Sequence, residues 1–283
     1  MNLVIQGEDV ATADLKALHG LARGRAIERI SDSAFRVTGA DASTRAAVAA
    51  HCEKARLDWG FVAPGRVLAD FRLLAMDMDS TLITIECIDE IADFAQRKPE
   101  VAAITAAAMR GEIDWPESLR RRVAALAGLE QDVLARVYDE RLRLSPGAAQ
   151  LVAACKRAGV RTLLVSGGFT YFTDRVRERL ELDWAYSNEL VLDGARLAGR
   201  VTGPLVDAQG KAAHVARLRA EMSSAREAVL VIGDGANDLA MMAEGATSIA
   251  YRAKPVVKAR ATYALDYCGL EGVLGLFPAG AEK

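Results

Sequence analysis

A chain of 283 residues, 51% hydrophobic and 26% charged, has the composition of a globular protein and is long enough for one large domain or two. Its formal net charge of -2 argues against a nucleic-acid-binding protein that relies on a basic surface. No apolar run approaches the length of a membrane span, and the N-terminus lacks the basic region of a signal or transit peptide. We therefore expect neither a nucleic-acid partner nor a membrane partner.

The cysteines and histidines give no sign of a zinc or redox site. The cysteines are widely separated without a C-x-x-C spacing, and the three histidines are equally dispersed. We predict structural roles for His19 and His51, which fall within predicted helices. Reduced, buried thiols typical of a cytoplasmic protein are predicted for Cys52, Cys87, Cys155 and Cys268.

The first predicted domain, residues 1–70, is a small α+β unit with the element order β-α-β-β-α. Its predicted strands are LVIQG, AIERIS and AFRVTGA, and its first predicted helix is DVATADLKALHGLA. The second helix, DASTRAAVAAHCEKARLDWG, begins with Asp41 or Ser43 as N-cap. A strand near FVAP would complete a ferredoxin-like unit, and Pro64-Gly65 marks its boundary.

The second predicted domain, residues 71–283, opens with RLLAMDMDSTL, an apolar run that stops at Asp77 and Asp79. Such a run is typical of a buried, central parallel strand. In open α/β sheets, ligands bind just outside the carboxyl ends of these strands. Two acids one residue apart repel each other unless a cation or a shared proton relieves them. We therefore expect this strand end to belong to a site.

A helical insertion of about residues 86–143 follows this strand directly. Four of its segments carry apolar residues at helical spacing: ECIDEIADFAQRK, PEVAAITAAAMRG, WPESLRRRVAALAG and EQDVLARVYDERL. About four helices are too many for an ordinary crossover connection. We interpret the insertion as a cap over the site.

The α/β pattern then resumes and predicts a Rossmann-like, doubly wound parallel sheet. A helix over residues 146–159 precedes the strand VRTLLVSGGF, which runs into Ser166-Gly167-Gly168. A short strand near WAYSN is followed by ELVLDGARLAG, whose Asp193-Gly194 turn indicates a β-hairpin. Lys211 is predicted to begin the helix KAAHVARLRAEM.

A second apolar strand, AVLVIGDGAND, also ends in acids, Asp234 and Asp238. Strand ends with carboxylates in one sheet converge on one crevice and suggest a hard cation such as Mg²⁺ held by oxygen ligands. The Ser-Gly-Gly turn exposes a hydroxyl and backbone N–H groups, which suit an anion, and Lys211 could neutralise a phosphoryl oxygen. GDGAND does not match a dinucleotide-binding fingerprint, because Asp238 stands in place of the third glycine.

In this order, DMDST, SGGF, Lys211 and GDGAND resemble the motifs of the haloacid dehalogenase superfamily of phosphohydrolases. Within it, ECIDEIA, AAAMRGEIDWPESLRRRVAALAG and VSGGF resemble the phosphoserine phosphatase family. The resemblance covers roughly residues 71–268. The N-terminal domain resembles, more weakly, the ACT-like regulatory domain often fused to this enzyme.

The resemblance implies a role for each matching residue in Mg²⁺-dependent hydrolysis of O-phosphoserine, the last step of serine biosynthesis. Asp77 would be the nucleophile and Asp79 the general acid and base. Mg²⁺ would be held by Asp77, by the backbone carbonyl of Asp79 and by Asp234, with Asn237 and Asp238 in support. Ser166, Gly167 and Lys211 would bind the phosphoryl oxygens, with Gly168 beside them.

The resemblance also implies that the cap recognises the amino-acid part of the substrate. Glu86 would meet the ammonium and Arg122 the carboxylate, while Met109 and Trp115 would line an apolar wall. From the residues alone, Arg122 does not stand out from Arg120 and Arg121, which suit a solvated helix face equally well. Nor does Glu86 stand out from Asp89 or Glu90 without the family pattern.

Two alternative functions stay open. The first is a phosphotransferase of the same fold that passes the phosphoryl group to an alcohol such as homoserine. The second is a non-catalytic amino-acid sensor that uses the N-terminal domain. That domain could bind an amino acid, support a homodimer or merely pack against the rest of the chain.

Overall fold

The computed structural model of the protein describes residues 1–279, apart from the side chain of Met109. Its eleven strands form one sheet in the order β2-β3-β1-β4-β11-β10-β9-β5-β6-β7-β8. The strands are β1 (Asn2–Gln6), β2 (Ala26–Arg29), β3 (Ala34–Thr38), β4 (Asp58–Val62), β5 (Leu73–Met76), β6 (Arg161–Phe169), β7 (Trp184–Asp193), β8 (Arg196–Thr202), β9 (Val229–Gly233), β10 (Thr247–Tyr251) and β11 (Tyr263–Leu265).

The helices occur in three groups along the chain. Two belong to the N-terminal unit, four to the insertion after β5, and the rest alternate with the later strands. They are α1 (Thr12–Leu21), α2 (Arg45–Ala55), α3 (Cys87–Phe94), α4 (Lys98–Met109), α5 (Trp115–Ala124), α6 (Asp132–Arg136), α7 (Ala148–Arg157), α8 (Thr170–Leu180), α9 (Ala208–Glu221), α10 (Leu239–Met242), α11 (Pro255–Lys258) and α12 (Gly272–Leu276).

The N-terminal unit has the predicted β-α-β-β-α-β order, with antiparallel strands arranged β2-β3-β1-β4. One difference from the sequence prediction lies at its second helix. The helix ends at Ala55, because Arg56 has a left-handed φ of 57°, and Asp58 and Gly60 belong to β4 rather than to the helix. Asp58 accepts hydrogen bonds from the backbone N–H groups of residues 266–268, and this network holds the segment extended.

The sheet continues from the N-terminal unit into the second unit, which the sequence did not indicate. Trp59 of β4 pairs antiparallel with Ala264 of β11, so the two predicted domains share one sheet. The Gln6 side chain adds a hydrogen bond to the carbonyl of Gly272, at 2.9 Å. The division at residue 70 stays a prediction.

In the second unit, β11, β10, β9, β5, β6 and β7 run parallel and β8 closes the edge antiparallel. This confirms the predicted α/β fold with a doubly wound sheet and an inserted helical cap. The central strand β5 is fully buried, with Leu74 and Met76 in one hydrophobic cluster and Leu73 and Ala75 in the other. Because side chains alternate along a strand, this continuous apolar run covers both faces of the sheet.

Three local boundaries differ from the predictions. The helix predicted over residues 146–159 spans Ala148–Arg157, and β7 is one continuous strand where the sequence suggested two. Helix α9 begins at Ala208, because Asp207 caps it by accepting a hydrogen bond from Gly210 N–H. Lys211 is therefore the fourth residue of α9 rather than its first, and its ammonium contacts Asp77 at the end of β5.

Among the described residues, no helix has both the length and the apolar character that crossing a membrane requires.

Candidate active site

A cavity of about 300 Å³ opens at the carboxyl ends of β5, β6 and β9, beneath the cap helices. Ligands of open α/β sheets bind at this edge, where loops from neighbouring strands converge. Most of the predicted site residues line the cavity, joined by residues that the sequence did not single out. The lining includes Asp77, Asp79, Glu86, Asp89, Thr105, Trp115, Arg122, Ser166, Gly167, Gly168, Lys211, Asp234, Asn237 and Lys254.

Strand β5 delivers Asp77 to the floor of the cavity. The Asp77 N–H still belongs to the sheet, donating to the carbonyl of Ile232 at 3.0 Å. Its Oδ1 accepts a hydrogen bond from Met78 N–H at 2.7 Å, and the residue is 5% exposed. This backbone contact fixes the rotamer of Asp77, so one carboxylate oxygen is held by protein donors while the other is left for chemistry.

Asp79 lies two residues later and faces the cap. Ser80 adopts a left-handed φ of 56°, which reverses the chain after the two acids. Asp79 Oδ1 accepts a hydrogen bond from the N–H of Cys87, the first residue of α3, at 3.2 Å. The second acid therefore bridges the core strand to the N-terminus of the first cap helix.

Lys211 is the buried counter-charge of the site. Its Nζ lies 2.7 Å from Asp77 Oδ1 and 2.8 Å from Asp238 Oδ1, and the lysine is only 1% exposed. Burial by itself disfavours the ammonium, but the charges of Asp238 and Asp77 outweigh it and raise the pKa of Lys211. The two carboxylates that Lys211 contacts therefore stabilise its charged, ammonium form.

Asp238 is committed to internal hydrogen bonds. Its Oδ1 is taken by Lys211, and its Oδ2 accepts the N–H groups of Asp234 and Gly235 at 3.1 and 3.0 Å. Asp234, by contrast, has one oxygen bonded to Thr81 Oγ1 at 3.1 Å. Asp238 thus shapes the loop that presents Asp234.

The acid cluster fits a divalent cation. Ligand atoms of Asp77, Asp234 and Asp238 all lie within 4.8 Å of one another. Burial, followed by the neighbouring charge of Asp238, raises the pKa of Asp77 and raises that of Asp234 to about 6. Such close, desolvated carboxylates need a positive ion to stay ionised together, and an all-oxygen donor set suits a hard divalent metal.

Asp79 differs electrostatically from this pair. Burial and the nearby carboxylate of Glu86 raise the pKa of Asp79 to about 7. A carboxyl group with a pKa near neutrality can both give and take a proton under ordinary conditions.

The end of β6 forms a small-residue wall against which a substrate can approach closely. A Cβ on Gly168 would lie 2.8 Å from Asp79 Oδ2, and one on Gly167 would lie 2.9 Å from Cζ2 of Trp115. The Ser166 hydroxyl accepts a hydrogen bond from Gly168 N–H at 2.8 Å. Asn188 fixes the same turn by donating to the Gly167 carbonyl at 2.9 Å. A side chain at either position would therefore force a neighbouring side chain to move.

The cap supplies the upper wall of the cavity. Arg122 and Trp115 extend from α5, and Glu86 immediately precedes α3. Arg122 Nε is buried and, among the described residues, has no hydrogen-bond partner. Burial lowers the pKa of Arg122, opposed by the charges of Asp89, Glu86 and Asp79. The residue lines the cavity with a guanidinium whose Nε has no acceptor among the described residues. Met109, predicted for this wall, lies outside the described side chains.

Sequence reasoning missed two charged residues of the lining, Asp89 and Lys254. Asp89 lies in the first turn of α3, three residues after the N-cap residue Glu86, and helical periodicity does not single it out. Lys254 follows β10, a strand that ends in no acid or glycine motif, so its sequence carries no comparable signal.

A core of this topology, with acids at two strand ends, a buried lysine and a helical cap, defines a phosphohydrolase architecture. Residues 74–243 match the haloacid dehalogenase-like hydrolase family, and the chain belongs to that family. Residues 3–48 match a family described as a domain of unknown function (DUF4072), so the ACT-like comparison stays a prediction.

Among its relatives, the phosphoserine phosphatase of Albidiferax ferrireducens is 50% identical over 223 residues, covering 77% of this chain and 94% of that protein. A probable phosphoserine phosphatase from Vibrio cholerae superposes with a TM-score of 0.85 at 34% identity, covering 98% of this chain and 86% of the other. A phospho-aspartyl intermediate analogue of phosphoserine phosphatase has a TM-score of 0.69 at 32% identity, covering 73% of this chain and 99% of the other.

Proposed function

We propose that the protein is a phosphoserine phosphatase that hydrolyses O-phosphoserine to serine and phosphate, the last step of serine biosynthesis. One observation carries the assignment: the cap holds Arg122, whose buried Nε has no partner among the described residues, on the same cavity as the Asp77–Lys211 pair. A phosphate ester that also bears a carboxylate matches both features. The similar phosphoserine phosphatases support the same substrate class.

In the first half of the reaction, the free carboxylate oxygen of Asp77 attacks phosphorus. The new bond joins this oxygen to the phosphoryl group, the bond from phosphorus to the serine oxygen breaks, and Asp79 protonates the departing serine oxygen. Ser166, the Gly167 N–H and Lys211 bind the phosphoryl oxygens as charge shifts during transfer. The contact with Lys211 favours the ionised form of Asp77, opposing the effects of burial and of Asp238.

In the second half, Asp79, now ionised, takes a proton from a water molecule. The resulting hydroxide attacks the phosphorus of the aspartyl-phosphate, and the bond to the Asp77 oxygen breaks to release phosphate. A pKa of about 7 suits Asp79 to both roles.

For the divalent metal we propose Mg²⁺. Asp77, Asp234 and the Asp79 backbone carbonyl would hold it, while Asn237 and Asp238 support the loop. When bound, Mg²⁺ neutralises charge on the phosphoryl group and relieves the repulsion between these carboxylates.

Specificity comes from the cap. Arg122 would bind the substrate carboxylate, Glu86 its ammonium, and Trp115 its apolar carbon atoms. Glu86 already accepts a hydrogen bond from Ser80 Oγ at 2.6 Å, which orients its carboxylate. The ammonium group of the substrate would donate a further, charge-assisted hydrogen bond to this carboxylate.

A phosphate-release assay with and without Mg²⁺, over phosphoserine, phosphothreonine, sugar phosphates and nucleotides, tests the proposal. Phosphoserine should be strongly preferred, and added homoserine should leave the yield of inorganic phosphate unchanged. A preference for a sugar phosphate would contradict the roles given to Glu86 and Arg122. Asp77→Asn should abolish release, and normal turnover by this variant would overturn its role as nucleophile.

Arg122→Met isolates the recognition step. It should raise KM for phosphoserine by roughly a hundredfold, because a charge-assisted pair worth about 3 kcal/mol is lost. Hydrolysis of p-nitrophenyl phosphate, which lacks a carboxylate, should change little. Arg120→Met is the matched control on the same helix, since Arg120 is exposed and pairs only with Glu117 at 3.8 Å among the described residues.

We further propose a cytoplasmic location and self-association through the N-terminal unit. The location is supported by the four cysteines, which are buried and form no disulfides among the described residues. Self-association is supported by edge strand β2, all four residues of which are exposed. Size-exclusion chromatography coupled to light scattering would measure the oligomeric state.

A further inference from the structure

We propose that Lys254 is an additional substrate-binding residue whose ammonium contacts the phosphoryl group of the bound ester. This inference rests on the proposed phosphohydrolase function. Lys254 lines the same cavity as Asp77, Ser166 and Lys211. It follows β10, which pairs parallel with β9 through Ile249–Ile232 and Ala250–Gly233 and so ends at the same edge of the sheet.

The backbone around Lys254 is anchored on both sides. Arg252 adopts a left-handed φ of 46° and donates its N–H to the Leu265 carbonyl at 2.7 Å, which turns the chain back at the end of β10. Lys254 N–H then donates to the Asp234 carbonyl at 3.3 Å. Pro255 follows as the first residue of α11, where its fixed φ suits the helix start. The loop therefore holds the root of the lysine side chain beside the loop that carries Asp234.

The Lys254 side chain is free to take a ligand. Within residues 1–279, its ammonium forms no ion pair and no hydrogen bond with another side chain, and the residue is exposed. The other lysine of the same segment, Lys258, is paired with Asp266 at 2.7 Å. Lys211 is already shared between Asp77 and Asp238. At this edge of the sheet, Lys254 is thus the lysine that can bind a phosphate dianion without first losing a carboxylate partner.

The position of Lys254 favours the phosphoryl group over the substrate carboxylate. Lys254 is tied to the core through Asp234, at the end of the cavity where Asp77 and Ser166 lie. Arg122, the group suited to the carboxylate, belongs to cap helix α5. A flexible ammonium at the cavity wall would attract the phosphate dianion and contact one of its oxygens.

Steady-state kinetics and phosphate binding of Lys254→Met test the proposal. We expect KM for both phosphoserine and p-nitrophenyl phosphate, and the inhibition constant of inorganic phosphate, to rise by about fivefold, the effect of one exposed ion pair. The value of kcat should stay within about twofold, and Lys254→Arg should restore most of the affinity. The difference from wild type should shrink as ionic strength rises.

Lys16→Met is the control, because Lys16 is an exposed residue of α1 in the N-terminal unit and its loss changes the net charge identically. Circular dichroism establishes that each variant is folded. An unchanged phosphate inhibition constant in Lys254→Met would overturn the proposal, and so would a rise in KM confined to phosphoserine. Measurements with p-nitrophenyl phosphate and inorganic phosphate test the role of Lys254 without using phosphoserine. If the wild-type enzyme failed to hydrolyse phosphoserine, that result would refute the proposed function but not the role of Lys254.

Discussion

Lys211 and Asp77 form a buried ion pair, with 2.7 Å between Nζ and Oδ1 and almost no exposure of either side chain. The pair is shared, because Asp238 takes the same ammonium at 2.8 Å. Removing one member of a buried pair leaves an uncompensated charge, which is far more costly than replacing the pair as a whole. Stability and catalysis therefore depend on the same lysine.

Lys211→Met should abolish phosphate release and lower the free energy of unfolding by about 3–5 kcal/mol, because Asp77 and Asp238 would lose their shared cation. Urea unfolding measures the second effect. Combining Lys211→Met with Asp238→Asn should recover part of that stability without recovering activity, since the amide oxygen can still accept the N–H groups of Asp234 and Gly235. Recovery of activity in the double variant would contradict the role of Lys211 in binding the phosphoryl group.

Asp79→Asn should separate the two halves of the reaction. With p-nitrophenyl phosphate, whose leaving group needs no proton, the variant should form the aspartyl-phosphate readily but hydrolyse it about 10²–10⁴-fold more slowly, because no base is left for the water. Stopped-flow kinetics should therefore show a burst of p-nitrophenol followed by a slow steady state. Asp77→Asn, run alongside, should give no burst. A slow reaction without a burst in Asp79→Asn would contradict this separation, because the first step would then depend on Asp79 even when the leaving group needs no proton.

The β7–β8 hairpin forms hydrogen bonds with the segment directly after α5, the cap helix that carries Arg122. Gly128 N–H donates to the Leu197 carbonyl, and Leu197 N–H donates to the Leu129 carbonyl, both at 2.8 Å. Gly199, with a φ of 70°, packs so closely that an added Cβ would lie 2.7 Å from Ala127 Cβ, just beyond the end of α5. Gly199→Ala should displace α5 and raise KM for phosphoserine at least fivefold, the equivalent of about 1 kcal/mol of lost binding, while p-nitrophenyl phosphate is affected less.

Gly194→Ala provides a closely matched control for that substitution. Gly194 lies at the tip of the same hairpin with a φ of 59°, but a Cβ added there would meet no atom within 4 Å among the described residues. Both substitutions strain the backbone, of order 1 kcal/mol each, yet only the one at Gly199 pushes on the cap. Equal changes in KM for the two variants would show that hairpin strain, rather than contact with α5, affects the site.

His214 should make stability depend on pH. Its ring stacks on Tyr186 with 4.2 Å between centroids, and burial together with the charge of Arg217 lowers its pKa. As pH falls through about 6.5, His214 becomes protonated in the unfolded chain but stays neutral in the folded protein. The free energy of unfolding therefore decreases as pH falls through that value. His214→Phe keeps the stacking but cannot titrate. The free energy of unfolding of wild type minus that of the variant should decrease between about pH 8 and pH 5.5, and a constant difference would contradict the assignment.

The strand ends and the cap could be predicted from the sequence because their signals are local. Apolar runs that stop at Asp77 and Asp234 place carboxylates at the ends of buried strands, and helical periodicity marks residues 86–143 as an insertion. The ferredoxin-like order of the first unit follows from the same patterns, which span a few residues each. Family resemblance then supplied Arg122, which periodicity could not separate from its neighbours.

Only the tertiary structure decided which distant groups meet. It gave Lys211 two carboxylate partners, brought Lys254 to the cavity from a strand without a motif, and joined both units in one sheet through Trp59 and Ala264. These contacts depend on strand order and register over the whole chain, and a short stretch of sequence does not specify either. The sequence by itself therefore determined which acids stand at the strand ends, and the packing of the complete sheet determined the cations that face them.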